Sequence, residues 1–521
     1  MLQLLALLAS VFETTTVTLF VTVFVVTWLW RKSIRIPPGL PPGPGTALPV
    51  LGHLHLLEKD PRKKFSEWRE KYGDVFSFYR GGQLVVVLNG YQAIRDALVK
   101  HGQDFSGRPH SFLVDRVLRG MGLSGSSGND NKEQRKVSTE ILSHLGMGHS
   151  YLQVQIMEEV THYLQAIEDL NGKPADLSEL THVSISNNIC SIVFGKRYDY
   201  HDPVFKSCIK AMEEVLYDIF FIENFSFIPL REYLPFDPFR SKAILKRVKM
   251  IEDNLLLPCI REQREKLRKK LEKDEEKEDS MHYQNFVEGY LNKMSGQHGN
   301  GKKTTVNETY LLKTLFDLWA AGTETSATTV LWVIVHLLRH PHVQDRCHQE
   351  VDRVIGADRL PSLQDRTDTV YVEATILETL RLSVNVPFSL PHSVTRDVTF
   401  RDYVIPKGTM VLPNLESAMH DPDVWTDPLS FRPERFISPD GTLIKPDEHI
   451  PFSLGRRMCM GKSLAQTELY LYVASLLQRF RFLPPEGAQP PSQESILGLT
   501  ANPEPFKVRA IFRREAITKN T

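Results

Sequence analysis

The sequence predicts a mainly α-helical protein with a small β-rich part, preceded by a single N-terminal transmembrane helix. Three observations carry this reading. Helical patterning dominates after the proline-rich stretch and includes a long apolar segment from Asn307 to His340, about 50 Å of helix at roughly 1.5 Å per residue. β-rich stretches are confined to Val75–Leu88 and to the region between Ser393 and Leu412. The first part of the chain, residues 1–30, holds one charge, Glu13, and residues 14–30 are uncharged and rich in Val, Phe, Leu and Thr.

Residues 1–30 are therefore expected to be a membrane anchor, since an apolar run of this length just spans a hydrocarbon core of ~30 Å. Arg31, Lys32 and Arg35 follow it and no basic residue precedes it, which puts the N-terminus in the lumen and the rest in the cytosol. A cleaved signal peptide would show a basic start and a small-residue cleavage site before Arg31, and neither is present. Two sequons, Asn224-Phe225-Ser226 and Asn307-Glu308-Thr309, would be glycosylated only in the lumen. Residues 31–46 form a basic and proline-rich linker, with Pro37-Pro38-Gly39-Leu40-Pro41-Pro42-Gly43-Pro44 as a stiff spacer. Residues 47–521 are expected to form one globular domain without internal repeats.

Lys and Arg number 63 and Asp and Glu also 63, a balance that argues against a nucleic-acid-coating protein. At 41% hydrophobic and 24% charged, the chain can bury a large core. Arg261–Glu278 mixes charges of both signs densely and reads as a solvated helix and its exit. Cys190, Cys208, Cys259, Cys347 and Cys459 are odd in number, widely spaced and without C-x-x-C, so neither a disulfide framework nor a structural zinc site is expected.

Two patterns are set aside. Gly120-Met121-Gly122-Leu123-Ser124-Gly125 matches a dinucleotide fingerprint, but no strand precedes it, and a flexible loop is expected. His336 and His340 are spaced like metal ligands just before Pro341. Without H-E-x-x-H they read as structural, suited to a helix C-terminus.

The stretch that carries chemistry is Phe452-Ser453-Leu454-Gly455-Arg456-Arg457-Met458-Cys459-Met460-Gly461, followed by an apolar helix to about Phe480. It sets one cysteine at a helix N-terminus beside two arginines, which favours thiolate, and flanks it with glycines that let backbone approach a flat ligand. This stretch resembles the cysteine loop of the cytochrome P-450 superfamily, F-x-x-G-x-R-x-C-x-G, at every fixed position. The resemblance implies the mainly helical fold of that family and haem b with Cys459 as axial thiolate, whose electron donation favours O–O cleavage. Asn188-Ile189-Cys190-Ser191-Ile192-Val193-Phe194-Gly195 looks like the animal microsomal branch.

Further residues take roles from the same resemblance. Glu378 and Arg381 form E-x-x-R and Arg435 comes from Pro433-Glu434-Arg435-Phe436; together they would brace the core behind the cysteine loop. Ala321-Gly322-Thr323-Glu324-Thr325 matches the oxygen-binding A-G-x-(D/E)-T motif. There Gly322 would lie at the cofactor, Thr325 would hydrogen-bond dioxygen and Glu324 would relay protons. Glycine and back-bonding threonine in a helix also suggest an opened ladder at that point. The haem propionates would be held by Arg108, Arg135, His392 and Arg457, with Phe452 beside them at the start of the cysteine loop. The family's W-(K/R)-x-x-R is here Asn131-Lys132-Glu133-Gln134-Arg135, which implies one propionate contact fewer and a more loosely held haem.

No nicotinamide or flavin motif is present, so electrons would come from NADPH through a separate P-450 reductase, with cytochrome b5 as a further partner. Lys132, Arg135, Lys136, Arg456 and Lys462 would offer that reductase a basic face. The aromatic run from Phe220 to Leu230 would roof a pocket near the membrane, with Phe112, Phe221, Phe316, Ala320, Val386 and Phe388 as its wall. The function implied is a monooxygenase that inserts one atom of dioxygen into a lipophilic fatty acid, steroid or xenobiotic at the endoplasmic reticulum membrane. Two alternatives are a haem-thiolate isomerase or dehydratase acting on peroxides, and a haem-binding sensor without turnover.

Overall fold

The computed structural model describes residues 14–28, 36–48, 51–146, 151–225, 235–272, 283–297 and 304–513. Helix α1 (Arg62–Tyr72) packs Phe65 and Trp68 onto a hairpin of β1 (Val75–Arg80) and β2 (Gln83–Leu88). The helical body follows as α2 (Gly128–His144), α3 (Tyr151–Glu168), α4 (Ser178–Phe194), α5 (Pro203–Glu223), α6 (Ser241–Ile251), α7 (Leu257–Glu272) and α8 (Phe286–Gln297). It continues through α9 (Glu308–Arg339), α10 (Pro341–Val354) and α11 (Val370–Leu382). Strands β3 (His392–Ser393), β4 (Val398–Phe400), β5 (Tyr403–Ile405) and β6 (Met410–Pro413) come next, then α12 (Lys462–Arg479). The described residues end in β7 (Phe480–Leu483), β8 (Ser495–Leu497), β9 (Ala501–Pro503) and β10 (Arg509–Phe512).

The main sheet has the order β1-β2-β6-β3. Its parallel pair, β2 with β6 in the register Val87↔Leu412, brings residue 410 back beside the N-terminal hairpin. This joins the two β-rich stretches of the sequence into one sheet. The two-stranded ladders β10-β7 and β8-β9 were not expected; their strands of three or four residues are too short to show a period.

Helix α9 is the axis of the molecule. Asn307 caps it, its side chain accepting from the Tyr310 N–H at 3.1 Å, and Pro341 begins the next helix. Residues from Leu311 to Leu338 are buried around nearly the whole circumference, as a helix enclosed by others requires. The backbone stays α-helical through Ala321–Thr325, so the expected opening of the ladder is not there. Thr325 does bond back to the Ala321 carbonyl at 2.8 Å, but the neighbouring turns absorb that bond without a break.

Two other expectations change. Gly122–Gly125 is a turn of helix rather than a flexible loop. It is pinned because the Asp317 carboxylate of α9 accepts the N–H groups of Leu123 at 2.7 Å and Ser124 at 2.9 Å. The proline spacer docks on the sheet: Ser77 of β1 donates its N–H to Pro42 O at 2.7 Å and its hydroxyl to Pro41 O at 2.6 Å. Of the expected anchor, residues 14–28 are helical with exposed side chains, while 1–13 and 29–30 lie outside the described residues. Among the described residues no helix is long and apolar enough to cross a membrane. The later parts of the mixed-charge and aromatic runs, 273–278 and 226–230, also lie outside them.

Candidate functional site

The cysteine loop reaches α12 through a tight fold. The Cys459 N–H donates to Phe452 O at 3.1 Å, and Gly455 adopts φ 72°. A Cβ on Gly455 would sit 1.9 Å from the Leu98 carbonyl oxygen, so only glycine fits. Cys459 is exposed, whereas Cys190, Cys208, Cys259 and Cys347 are buried. Burial pushes the Cys208 thiol to about 11 and the Cys347 thiol to about 12, which makes them inert packing as expected. Desolvation by the protein around it also raises the Cys459 thiol, but the Gly461 N–H, Arg135 and Lys462 pull the other way.

Three arginines from separate parts of the chain converge above this loop. Arg108 donates to the carbonyls of Ser124 (2.8 Å), Leu390 (3.1 Å) and Pro391 (2.7 Å). Arg457 donates to those of Ser106 (2.8 Å) and Ser126 (2.6 Å), and Arg135 to that of Met458 (2.9 Å). Among the described residues none of the three guanidinium groups forms an ion pair. Burial and repulsion from neighbouring arginines pull Arg108 down to about 9, against a smaller opposing pull from Asp317, and Arg457 to about 10. His392 donates Nδ1–H to Phe105 O, 2.7 Å away, and burial beside Arg108 and Arg457 lowers it to about 3. Buried and half-buried cations short of counter-charge, next to an accessible thiol, suit a flat ligand that carries carboxylates. Haem fits this donor set.

Asn131, where the family places tryptophan, is buried and donates to Leu123 O at 2.9 Å and Ser126 Oγ at 3.2 Å. It therefore fixes the segment that Arg457 also grips and has no donor left for a carboxylate.

On α9, Ala321 is exposed and Thr325 half-buried; four residues apart, they share one open face. Gly322 is turned elsewhere, for a Cβ there would lie 2.6 Å from Ile189 Cδ1 of α4, so its small size serves helix packing. Glu324 is 1% exposed and its Oε1 accepts from Thr500 Oγ1 and Asn502 Nδ2, each at 2.9 Å. His182 of α4 stands 3.3 Å from its Oε2. These partners were missed because they lie far off in the sequence with no motif around them.

Behind the cysteine loop, Glu378 and Arg381 are 0% exposed. Arg381 holds the carboxylate with two bonds, 2.7 and 2.9 Å, and Arg435 donates to it at 2.9 Å. Arg381 also donates to Met419 O and Pro428 O, each at 2.8 Å. The three residues meet as the resemblance implied. His336 and His340 are structural: His336 stacks on Phe431 at 4.3 Å and pairs with Ser383 Oγ at 2.8 Å.

A mostly apolar cavity extends from Arg108, Leu390 and Pro391 toward Phe65, Phe220 and Phe388, with Arg80 and Glu223 as its other charged groups. Of the expected wall residues Phe388 lines it. Phe112, Phe316 and Ala320 are packed in the core, Val386 is half-buried, and Phe221 is 44% exposed. Phe220 takes the place expected of Phe221 because one helical residue is a turn of about 100°.

A family model described as Cytochrome P450 matches residues 41–510. The chain is a member of the cytochrome P450 family. It is 35% identical to Cytochrome P450 2U1 of Mus musculus, over 92% of each chain. It is 37% identical to Cytochrome P450 2B4 of Oryctolagus cuniculus, over 93% of this chain and 96% of that one. Cytochrome P450 2C3 of the same animal is 36% identical over 88% and 90%. Membership makes the chain a haem-thiolate monooxygenase that binds haem b through an axial cysteine.

Proposed function

We propose that the chain inserts one atom of dioxygen into a lipophilic small molecule, a fatty acid, steroid or xenobiotic, with electrons from NADPH through a separate flavoprotein reductase. The observation that carries this reading is continuity: Arg108 belongs both to the arginine cluster and to the wall of the apolar cavity. A greasy molecule in that cavity would lie beside Arg108 and so next to the arginine cluster. The haem, when bound, supplies activation of dioxygen, with the thiolate's electron donation favouring O–O cleavage.

The chain's own residues divide the remaining work. Cys459 Sγ would be the iron ligand, and Arg108, Arg135 and Arg457 would hold the propionates, with His392, neutral and bonded to Phe105 O, beside Arg108. The Thr325 hydroxyl offers a hydrogen bond at the open face of α9, while Glu324 holds the carboxylate that handles protons one residue away. Apolar walls exclude water from this space. The exposed Lys132, Lys136, Arg456 and Lys462, with Arg135 against Met458, offer an acidic reductase a basic face on the cysteine side, and cytochrome b5 the same chemistry.

Residues 1–30 would anchor the chain in the endoplasmic reticulum membrane with the catalytic domain in the cytosol. The engagement of Asn307 in capping α9 fits a sequon that is never glycosylated. Reconstitution with reductase and labelled dioxygen, over a panel of lipophilic acids, steroids and drugs, tests the reading. One labelled atom is expected in product and one in water. Turnover without NADPH would contradict it, as would an unshifted Soret band of the reduced carbon monoxide complex in Cys459→Ser.

A further inference from the structure

His182 has no part in the sequence motifs, yet it is a buried titratable group packed against α9. It is 4% exposed on α4 and stands between carboxylates from two other helices. Its Nε2 faces Glu324 Oε2 of α9 at 3.3 Å, and its Nδ1 lies 3.4 Å from Glu213 Oε1 of α5 and 2.9 Å from its own helix's Ser178 O. Among the described residues His182 Nε2 and Glu324 Oε2 are both buried without a hydrogen-bond partner, so their 3.3 Å approach is an ion-pair contact rather than a formed hydrogen bond. Both ring nitrogens thus look at acceptors, and only an imidazolium satisfies both.

We propose that His182 is a positioning residue for the oxidation: its imidazolium fixes Glu324 as an oriented carboxylate beside Thr325 and ties that carboxylate to Glu213 at the protein's edge. The proposal rests on the reading that Glu324 handles the proton. Its electrostatics follow from the neighbours. Glu324 faces the ring from α9 and Glu213 from α5, with Glu179 of α4 and Glu214 of α5 beyond Glu213. The β8–β9 ladder adds only neutral donors to Glu324, Thr500 and Asn502.

Burial alone would lower the His182 pKa, but Glu324 and Glu213 outweigh it and hold it at about 9. Burial would likewise raise Glu324, and His182, Asn502 and Thr500 bring it below the ordinary carboxylate range. Because the folded-state value of His182 lies above its ordinary 6.5, the stability it contributes is complete below pH ~6.5 and is lost as pH rises through ~9. Glu213 has a side chain 37% exposed, so the outer end of the chain of charges reaches solvent.

The test uses the full-length holoprotein with reductase, NADPH and a fluorogenic lipophilic ether, reading product and peroxide per NADPH. His182→Gln keeps a donor and removes the charge; product per NADPH is expected to fall roughly three- to tenfold with haem content unchanged, since general acid–base groups contribute effects of this order and above. Unchanged coupling in this variant overturns the proposal. The double variant H182Q/E324Q should be no worse than Glu324→Gln alone. A further equal loss in the double variant would mean that His182 acts elsewhere and also overturns it. If Glu324→Gln itself keeps wild-type coupling, the proton reading fails instead.

Thermal unfolding followed from pH 6 to 10 decides the pairing without reference to turnover. The alkaline loss of stability should be present in the wild type, absent in His182→Gln and moved to lower pH in Glu213→Gln. A wild type without that loss, or a Glu213→Gln curve that superimposes on it, contradicts the arrangement.

Discussion

Two clusters of arginine, one around Glu378 and one around Arg457 of the cysteine loop, differ in one respect. Around Glu378, Arg381 and Arg435 share a carboxylate and Arg381 spends its other donors on carbonyls. Around Arg457, the guanidinium groups of Arg108 and Arg135 donate to carbonyls and form no ion pair among the described residues, and the repulsion of Arg457 on Arg108 exceeds the opposing pull of Asp317. The first group is a completed knot. The second keeps unbalanced positive charge that an anion from outside the chain would complete, and this difference separates a structural site from a ligand site more sharply than burial does.

Breaking the knot should have the largest effect. Glu378→Ala leaves two buried cations without a partner, a loss of about 3–5 kcal/mol in folding stability. Urea unfolding of the haem-free chain would read it, and an apoprotein as stable as wild type would deny the knot its role. Next comes the open cluster. Arg457→Ala should leave the apoprotein's stability nearly unchanged, because repulsion is relieved as hydrogen bonds are lost. It should weaken haem retention about ten- to a hundredfold, the worth of one charge-assisted contact of ~1.5–3 kcal/mol. Transfer of haem to an apoglobin measures this, and a variant that loses apoprotein stability but keeps its haem would invert the comparison. The smallest effect belongs to Asn131→Ala, about 1–2 kcal/mol for two neutral hydrogen bonds that hold the Leu123–Ser126 segment under Arg457. Thermal unfolding checks it.

The knot and the cysteine loop were legible in the sequence because their signals are local. E-x-x-R puts two side chains on one face of a helix, and the spacing of Gly455, Arg457, Cys459 and Gly461 encodes a single turn. Arg108 and Arg135 were legible only through the resemblance, since an isolated arginine carries no sign of whether its counter-ion lies within the chain. The partners of Glu324 were not legible at all. His182 is one polar residue inside a helix, and Thr500 and Asn502 sit around strands too short to show a period. The cavity wall was read only in part, because a single residue's rotation on α5 exchanges Phe220 for Phe221. Helix α9 was placed to within its caps, Asn307 and His340, since proline, a capping asparagine and a long apolar run agree on its ends. The absence of an opening at Ala321–Thr325 shows the limit of propensity: the packing of Gly322 on Ile189 and the donation of Asn385 Nδ2 to Thr325 O at 2.8 Å hold the backbone where threonine and glycine alone would loosen it.

The claim that the open cluster is built for a ligand's carboxylates is tested most directly by comparing haem with its dimethyl ester, which keeps the ring and the iron and lacks the two charges. The wild-type apoprotein should retain haem at least about tenfold longer than the ester, consistent with one charge-assisted hydrogen bond or more, and the gap should narrow in Arg457→Ala. Equal retention of the two by the wild type would contradict it.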